Sequence, residues 1–137
     1  MKSFGRLDVL INNAGRSIRR AIVDSLDRVH DYERTMQINF FAAVRLTLKL
    51  IPRFLEQGGG HVVNCSSGST QFPLPRYSAY LASKSALDSF SRSVAAELEH
   101  RGVTVTTLHY PLVYTPMATA TGYYRGVRMM KPRAAAE

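Results

Sequence analysis

The chain has 137 residues, of which 45% are apolar and 20% are charged, and its net charge is +8 at neutral pH. This length and composition are those of one soluble globular domain, which can bury roughly two-thirds of its unfolded surface. No apolar run approaches the about 20 residues that cross a bilayer, so no integral membrane segment is expected. The single cysteine, Cys65, cannot form an internal disulfide bond, which predicts a cytoplasmic protein with a buried thiol.

Basic residues are dispersed along the chain, although two modest clusters occur. The clusters contain Arg16, Arg19 and Arg20 and, further on, Arg125, Arg128, Lys131 and Arg133. No zinc-ligand spacing, helix-turn-helix signal or aromatic-rich RNA motif accompanies them, so we expect a solvated basic surface, no metal and no nucleic-acid partner. The sharper alternative is that the first cluster contacts an anionic part of a substrate, such as the phosphates of a coenzyme A thioester.

The apolar pattern predicts three strands that alternate with two helices. The strands span 7–12, 61–65 and 103–110, and the helices span about 26–57 and 77–100. Such an alternation builds a parallel sheet with right-handed crossovers, which is an α/β fold. Ligands of these sheets bind beyond the carboxyl ends of the strands. Asn13, Ser67 and Pro111 fall at or just past such ends, so we expect them to converge on one edge of the sheet.

Proline and glycine residues mark the ends of these elements. Pro52 is expected to kink or split the last turns of the first helix. The glycine run at 58–60 should end that helix, and Gly102 should end the second one. Beyond the third strand the pattern weakens, so we predict one domain whose core covers about 4–117, with 118–137 as a substrate loop or a frayed end.

Two residues four positions apart, Tyr80 and Lys84, are the most informative pair in the chain. In a helix these positions lie on one face. A lysine ammonium beside a phenol favours the phenolate, so we predict that the pKa of Tyr80 is lowered. A tyrosine tuned in this way can exchange a proton with a substrate oxygen near neutral pH. Two further polar residues accompany the pair. Ser67 lies thirteen residues before Tyr80, and Asn39 lies twenty-eight before Ser67.

A run of Asn12, Asn13, Ala14 and Gly15 near the start of the chain completes the set. In this order and spacing, the residues resemble the motifs of the short-chain dehydrogenase/reductase family. The resemblance implies a Rossmann-type, doubly wound parallel sheet and an oxidoreductase that uses NAD(P)H.

The resemblance also implies a role for each catalytic residue. Tyr80 would donate its proton to a carbonyl oxygen as the hydride arrives. Lys84 would tune Tyr80 and bind the nicotinamide ribose. Ser67 would orient the substrate carbonyl, and its spacing to Tyr80 favours it over the neighbouring Ser66. Asn39 would anchor a water molecule in the proton relay.

Further residues are expected to contact the cofactor. Besides Tyr80 and Lys84, these are Asn12, Ala14, Gly15, Pro111, Val113 and Thr115. Asn12 and Asn13 are also expected to tie the sheet together, and Gly15 has an explanation as a turn glycine. The segment after the third strand resembles the family's PGxxxT pattern, but Leu112 stands where the pattern has its glycine.

The family's glycine-rich TGxxxGxG turn has no match in this chain. By resemblance, the sequence starts at the fourth strand, so it holds a β-α-β-α-β half of the fold without the N-terminal nucleotide-binding half. We therefore expect a fragment of a longer protein, in which Met1 is an internal methionine. Its first strand would leave an apolar edge unpaired, so the isolated chain should be marginal or insoluble and should not hold NADPH tightly.

Two functions follow from these observations. The first is hydride transfer between a nicotinamide and a small-molecule carbonyl or alcohol, in a full-length protein that forms a homo-oligomer. The segments Pro-Leu-Val-x-Thr-Pro-Met and Asn-Asn-Ala-Gly-Arg-Ser-Ile-Arg-Arg resemble a branch linked to fatty acyl-CoA or fatty aldehyde reduction, although that branch often has a basic residue in place of Tyr114. The second function is that of an inactive remnant that associates through its two long helices.

Overall fold

Three parallel strands form the sheet at the centre of the molecule. The structure is a computed structural model that describes residues 5–120 and 122–137. Strands β1 (Val9–Asn12), β2 (Gly60–Ser67) and β3 (Val103–Tyr110) lie side by side in the order β1-β2-β3. Asn12 lies opposite Asn64, and Ser67 lies opposite Tyr110, so the carboxyl ends of all three strands face the same way. The predicted α/β arrangement is confirmed.

Five α-helices surround this sheet in the part of the chain that the structure describes. They are α1 (Val29–Met36), α2 (Ala42–Glu56), α3 (Ser78–Leu98), α4 (Pro116–Thr119) and α5 (Pro132–Ala136). Helix α3, with 21 residues, packs against both β2 and β3 and also against α1. Helix α3 therefore links the sheet to α1.

The first predicted helix is interrupted at a different place from the one expected. Its pattern is divided by a π-helical turn at Gln37–Phe41, which joins α1 to α2. Pro52 does not split α2, which continues to Glu56. Pro52 is exposed, so water can satisfy the backbone carbonyl that its missing N–H leaves free.

The hydrophobic core lies between α2 and the sheet. Phe54, Val62 and Val103 are completely buried and form its centre. Around them pack Leu10, Leu50, Leu55, Leu98 and Val105. A Cβ at Gly60 would lie 2.2 Å from the Phe54 ring, so only glycine at this position lets the ring close against the sheet.

Strand β1 is an edge strand among the described residues, since its only partner is β2. Its apolar side chains are exposed, with Val9 at 45% and Ile11 at 62% of full exposure. The unpaired apolar edge expected from the sequence is therefore present in the structure. Poor solubility of the isolated chain stays a prediction.

A line of buried polar side chains fastens β1 through β2 to α3. The Asn12 Nδ2 atom donates to Asn64 Oδ1 at 2.7 Å, and Asn64 Nδ2 donates to Ser91 Oγ at 2.7 Å. We expect Asn64→Ala to lower the free energy of unfolding by about 1–3 kcal/mol, because it leaves buried partners without hydrogen bonds. Urea unfolding measures this loss. Thr104→Ala, at an exposed position of β3, is the control, and equal midpoints for the two variants would contradict the expectation.

The segment after β3 is folded back onto the molecule. Tyr114 N donates to Met130 O at 2.9 Å, and Met130 N donates to Leu112 O at 2.9 Å. The sequence left a substrate loop and a frayed end as alternatives for residues 118–137, and these hydrogen bonds favour the loop. Its side chains reach the cleft beyond the strands, where Tyr124, Pro132 and Ala135 line the wall.

Candidate active site

A cleft of about 750 Å³ opens beyond the carboxyl ends of the strands. The segments that follow β1, β2 and β3 all contribute to its wall, together with the start of α3 and the folded-back C-terminal segment. The sequence placed Asn13, Ser67 and Pro111 at one edge of the sheet, and all three line this cleft. The convergence expected from strand alternation is therefore confirmed.

Ser67, Tyr80 and Lys84 meet at the floor of the cleft. Ser67 is the last residue of β2, and its Oγ accepts a hydrogen bond from Ser69 N at 3.2 Å, which fixes the serine at the strand end. Tyr80 lies in the first turn of α3, and its phenol interacts with the Ser67 side chain. Lys84 follows one turn later and is only 4% exposed. Strand β2 and helix α3 thus bring two hydroxyls and an amine to the same cleft.

The predicted lowering of the pKa of Tyr80 is wrong for this structure. Burial raises the pKa of the phenol, and interaction with the Ser67 side chain opposes this effect only in part. Lys84 does not counteract the burial, because its Nζ is turned to the Cys65 carbonyl oxygen, to which it donates at 2.6 Å. Burial also lowers the pKa of Lys84. Helical spacing places the two residues on one face, but it does not fix where the ammonium points.

Cys65 is buried, as expected, and burial raises the pKa of its thiol. The neutral thiol is therefore the dominant form at neutral pH. Its contribution to the site is the backbone carbonyl that anchors Lys84.

Asn39 fixes the loop after β1 against α3. Its Oδ1 accepts from Arg16 N at 2.7 Å, and its Nδ2 donates to Arg16 O at 2.8 Å and to Ser83 Oγ at 2.9 Å. The side chain is 1% exposed and lies in the middle of the π-helical turn. Such turns often occur at functional sites, and here the turn directs the asparagine inward. Anchoring of a water molecule by Asn39 stays a prediction.

Different residues of the Asn-Asn-Ala-Gly run contact the sheet and the cleft. Asn12 binds Asn64 inside the molecule, in agreement with the structural role expected for it, whereas Asn13 and Gly15 line the cleft. The explanation of Gly15 as a turn glycine is wrong, because its φ does not lie in the left-handed region. A Cβ at this position would lie 3.5 Å from Lys84 Nζ and 3.6 Å from Asn39 Oδ1. Gly15 therefore leaves open space beside the ammonium.

The residues after β3 also reach the cleft, where Pro111, Val113 and Thr115 line one wall. The Thr115 Oγ1 accepts from Ala118 N at 3.3 Å and caps the short helix α4. Leu112, which replaces the glycine of the family pattern, adds a further apolar side chain to the same wall.

Aromatic residues that the sequence analysis did not single out close one side of the cleft. Tyr124 OH donates to Tyr77 OH at 2.6 Å, which ties the C-terminal segment to α3 next to Tyr80. The guanidinium of Arg19 lies 3.7 Å from the centre of the Tyr123 ring. The i to i+3 spacing of Tyr77 and Tyr80 could have indicated that their rings lie side by side, but no periodic signal predicts the contacts of Tyr124 with Tyr77 or of Arg19 with Tyr123.

The three arginines of the first basic cluster have different surroundings. Arg20 pairs with the buried carboxylate of Asp31 at 3.2 Å, and the hydrogen bond from Arg28 lowers the pKa of that carboxyl. Arg16 is exposed, whereas Arg19 is partly buried and lines the cleft. Arg19 is therefore the member of the cluster that can meet a bound molecule.

Residues 5–120 and 122–137 hold neither a metal-binding cluster nor a membrane-spanning helix. No group of three or more histidine, cysteine, aspartate or glutamate side chains is arranged there to bind a metal ion. None of the helices in the same ranges has the length and apolar character that a membrane span requires.

Comparisons with known proteins agree with this geometry. A family profile described as short chain dehydrogenase matches residues 1–124. The fatty acyl-CoA reductase of Acinetobacter baylyi is 48% identical over 137 residues, which are 100% of this chain and 46% of that protein. A fatty acyl-CoA reductase of Mycobacterium tuberculosis is 47% identical over 99% of this chain and 47% of its own length.

Solved structures share the same fold. The 3-ketoacyl-(acyl-carrier-protein) reductase of Brucella melitensis, complexed with NADH, superimposes with a TM-score of 0.82 at 25% identity, over 98% of this chain and 64% of that one. A short-chain dehydrogenase of Streptomyces avermitilis gives a TM-score of 0.71 at 37% identity, over 77% of this chain and 38% of that one.

The parallel sheet and the Ser-Tyr-Lys cleft at its carboxyl edge define the class of Rossmann-type oxidoreductases. Within this class, the chain belongs to the short-chain dehydrogenase family. It spans less than half the length of the fatty acyl-CoA reductases that it matches.

Proposed function

We propose that this chain carries the catalytic residues of an NAD(P)-dependent oxidoreductase, which transfers a hydride between a nicotinamide and a carbonyl or alcohol carbon. The observation that supports this most strongly is the meeting of Ser67, Tyr80 and Lys84 in one cleft. The side chains of Ser67 and Tyr80 both line the cleft and interact with each other, so a carbonyl oxygen placed between their hydroxyls could accept from both.

Tyr80 is the proposed proton donor. Burial raises the pKa of its phenol, so the protonated form dominates at neutral pH. This is the form that reduction of a carbonyl requires, because the oxygen gains a proton as the carbon gains a hydride. Ser67 would hold the same oxygen in place and would stabilise its developing negative charge.

The residues around Lys84 fit a bound nicotinamide nucleoside, which supplies the hydride. An ammonium has three donors, and the single bond to a backbone carbonyl leaves two of them for ribose hydroxyls. The Ser66 hydroxyl is buried and has no hydrogen-bond partner among the described residues, so it too can serve a bound polar group. Gly15 keeps the space beside Lys84 open. Val113 and Thr115 would meet the carboxamide.

The substrate class that we propose is a fatty acyl-CoA or a fatty aldehyde. The wall of the cleft is mostly apolar and includes Phe72, Leu74, Leu112, Met117 and Ala118. A volume of about 750 Å³ is in the range of sites that enclose a large organic ligand. Identity of 47–48% with two fatty acyl-CoA reductases, over nearly the whole chain, supports the same substrate class.

Arg19 is the residue that we propose for the anionic part of such a substrate. It lines the cleft, and the described lining residues include no aspartate or glutamate that could neutralise it. Its Nε is buried and has no hydrogen-bond partner in the described ranges. Contact with a phosphate or thioester oxygen would satisfy this donor.

A chimeric enzyme tests the proposal. In this chimera, the 137 residues replace the matching 46% of the Acinetobacter baylyi fatty acyl-CoA reductase. We expect it to oxidise NADH or NADPH when palmitoyl-CoA or a long-chain aldehyde is added, as followed by absorbance of the reduced nicotinamide. Arg19→Gln should raise the KM for palmitoyl-CoA about tenfold and leave that for the aldehyde nearly unchanged, since it removes one charge-assisted contact.

Two controls make the result decisive. Arg16→Gln removes the same charge from an exposed position in the same loop, and it should alter neither KM. Acetoin is a small carbonyl control. A correctly folded chimera that oxidises neither nicotinamide with any of these carbonyls would refute the proposed activity, and equal turnover of acetoin and palmitoyl-CoA would refute the substrate class.

A further inference from the structure

A row of one guanidinium and four tyrosine rings runs along one side of the cleft. It begins at Arg19, whose guanidinium carbon lies 3.7 Å from the centre of the Tyr123 ring. The rings of Tyr123 and Tyr124 meet edge to face, with their centres 5.0 Å apart. Tyr124 OH donates to Tyr77 OH at 2.6 Å, and the Tyr77 ring meets that of Tyr80 edge to face at 6.5 Å. Two tyrosines of the C-terminal segment thus join the loop after β1 to the start of α3.

Arg19 depends on this row, because the rest of its surroundings do not fix it. Among residues 5–120 and 122–137, no carboxylate forms an ion pair with Arg19 and no acceptor takes a hydrogen bond from its Nε. Its neighbour Arg20 is different, since it pairs with the buried carboxylate of Asp31 at 3.2 Å. The ring of Tyr123 is therefore the contact that holds the Arg19 side chain at the cleft.

This contact uses the flat face of the guanidinium and leaves its edge free. At 3.7 Å from the ring centre the group must lie face to face with the ring, because an edge-on approach would drive a nitrogen into the ring. All five N–H donors of a guanidinium lie in its plane. They can therefore bind the oxygens of a phosphate while the face stays on the ring. The buried Nε of Arg19, which has no acceptor among the described residues, is one of these donors.

Tyr123 is in turn held by its neighbours in the row. It is 53% exposed, so burial alone does not fix it. The adjacent Tyr124 is bonded to the hydroxyl of Tyr77, a side chain that is only 5% exposed. Burial raises the pKa of Tyr77, so this hydroxyl stays protonated at neutral pH and the bond persists. Further along the segment, Met130 N donates to Leu112 O at 2.9 Å, which attaches the other end.

We propose that Tyr123 and Tyr124 are positioning residues, which orient Arg19 in the cleft toward the anionic part of a coenzyme A thioester. Tyr123 holds the guanidinium by its face, and Tyr124 holds Tyr123 in place from the start of α3. An aldehyde carries no phosphate, so the two tyrosines favour the thioester over the aldehyde of the same chain length. The consequence for substrate choice rests on the proposed function, whereas the effect on Arg19 itself does not.

The exposure of the Arg19 guanidinium can be measured without any activity. Phenylglyoxal modifies free guanidinium groups, and fragment mass spectrometry gives the rate at each arginine of the 137-residue chain. Tyr123→Leu removes the stacked ring, so Arg19 should be modified about two- to fivefold faster, the range that matches an exposed cation–π contact. Tyr123→Phe keeps a ring and should restore the slow rate. Arg16, which is exposed in the same loop, is the internal reference and should react at one rate in every variant.

A milder variant covers the case in which Tyr123→Leu does not fold. Tyr124→Phe removes only the hydroxyl that is bonded to Tyr77, and it should also speed the modification of Arg19. Tyr114→Phe, at an exposed position of the same segment, is the matched control and should leave the rate unchanged. The labelling is repeated in the chimera, where the chain has the rest of the fold around it. Equal rates at Arg19 in the unaltered protein and in the folded variants of both tyrosines would overturn the proposal.

Substrate kinetics of the chimera test the consequence. Tyr123→Leu should raise the KM for palmitoyl-CoA about two- to fivefold and should change that for hexadecanal by less than about twofold. When it is combined with Arg19→Gln, it should add nothing further, because the tyrosine acts only through the arginine. Fully additive effects of the two substitutions would mean that the ring contacts the substrate directly, and would overturn the positioning role.

The two proposals fail separately. If Tyr123→Leu speeds the modification of Arg19 but Arg19→Gln leaves the KM for palmitoyl-CoA unchanged, the positioning role stands and the proposed role of Arg19 in substrate binding falls. If Arg19→Gln raises that KM but Tyr123→Leu alters neither the labelling nor the KM, the proposed function stands and the positioning role falls.

Discussion

Replacing Tyr80 by phenylalanine is expected to lower kcat of the chimeric reductase about 10²–10⁴-fold, with little change in KM. The substitution removes only the hydroxyl that we assign to proton donation, and it keeps the ring in its place on α3. Because we propose that a carbonyl oxygen accepts from both Tyr80 and Ser67, that oxygen would also lose one of its two partners. Steady-state kinetics with a long-chain aldehyde measures the loss.

Tyr114→Phe is the matched control for this experiment. Tyr114 is 60% exposed. Its replacement by phenylalanine removes an equivalent hydroxyl from the segment that borders the cleft. Its kcat should stay within about twofold of the unaltered chimera, as expected for a group that makes no transition-state contact. If Tyr80→Phe kept most of the activity while remaining folded, another group would have to donate the proton, and the inactive-remnant interpretation would gain support.

Phe54→Ala is expected to have the largest effect on stability, about 3–5 kcal/mol of the free energy of unfolding. The Phe54 ring is completely buried, and it packs against Val62 and Val103 between α2 and the sheet. The absence of a side chain at Gly60 creates the space that the ring fills, so its removal leaves a cavity that the backbone cannot close. Since small domains have total stabilities of about 5–15 kcal/mol, the variant should lose much of its cooperative unfolding transition.

Phe72→Ala makes the same chemical change at an exposed site. Phe72 is 55% exposed, so its truncation should alter the free energy of unfolding by less than about 1 kcal/mol. Urea unfolding followed by circular dichroism compares the two variants. Transitions with the same midpoint would mean that the core does not depend on Phe54 and would contradict the packing described above.

The fold was largely predictable, because its signals are local. Apolar runs identified the three strands, and the third was predicted with the bounds that it has, Val103–Tyr110. Gly102 adopts a φ of +81°, the left-handed conformation that ends a helix and that glycine allows. The π-helical turn at Gln37–Phe41 was missed, since one extra residue in a helical turn hardly alters an apolar pattern.

The candidate site was predictable as a set of residues but not as an arrangement of atoms. Spacing identified Ser67, Tyr80 and Lys84, and strand alternation indicated where they would meet. The direction of the Lys84 ammonium depends on the Cys65 carbonyl, which is contributed by a different element. For this reason the pKa of Tyr80 was predicted with the wrong sign.

The sequence by itself determined the order of strands and helices, the family and the residues that carry its motifs, because periodicity and spacing are properties of the chain. Only the tertiary structure decided which of these residues touch. It joined Asp88 to His109, placed Arg19 rather than Arg20 in the cleft, and folded the C-terminal segment over Tyr77. Contacts of this kind join distant parts of the chain, and burial of the polar atoms shifts their pKa values. No local pattern encodes either effect.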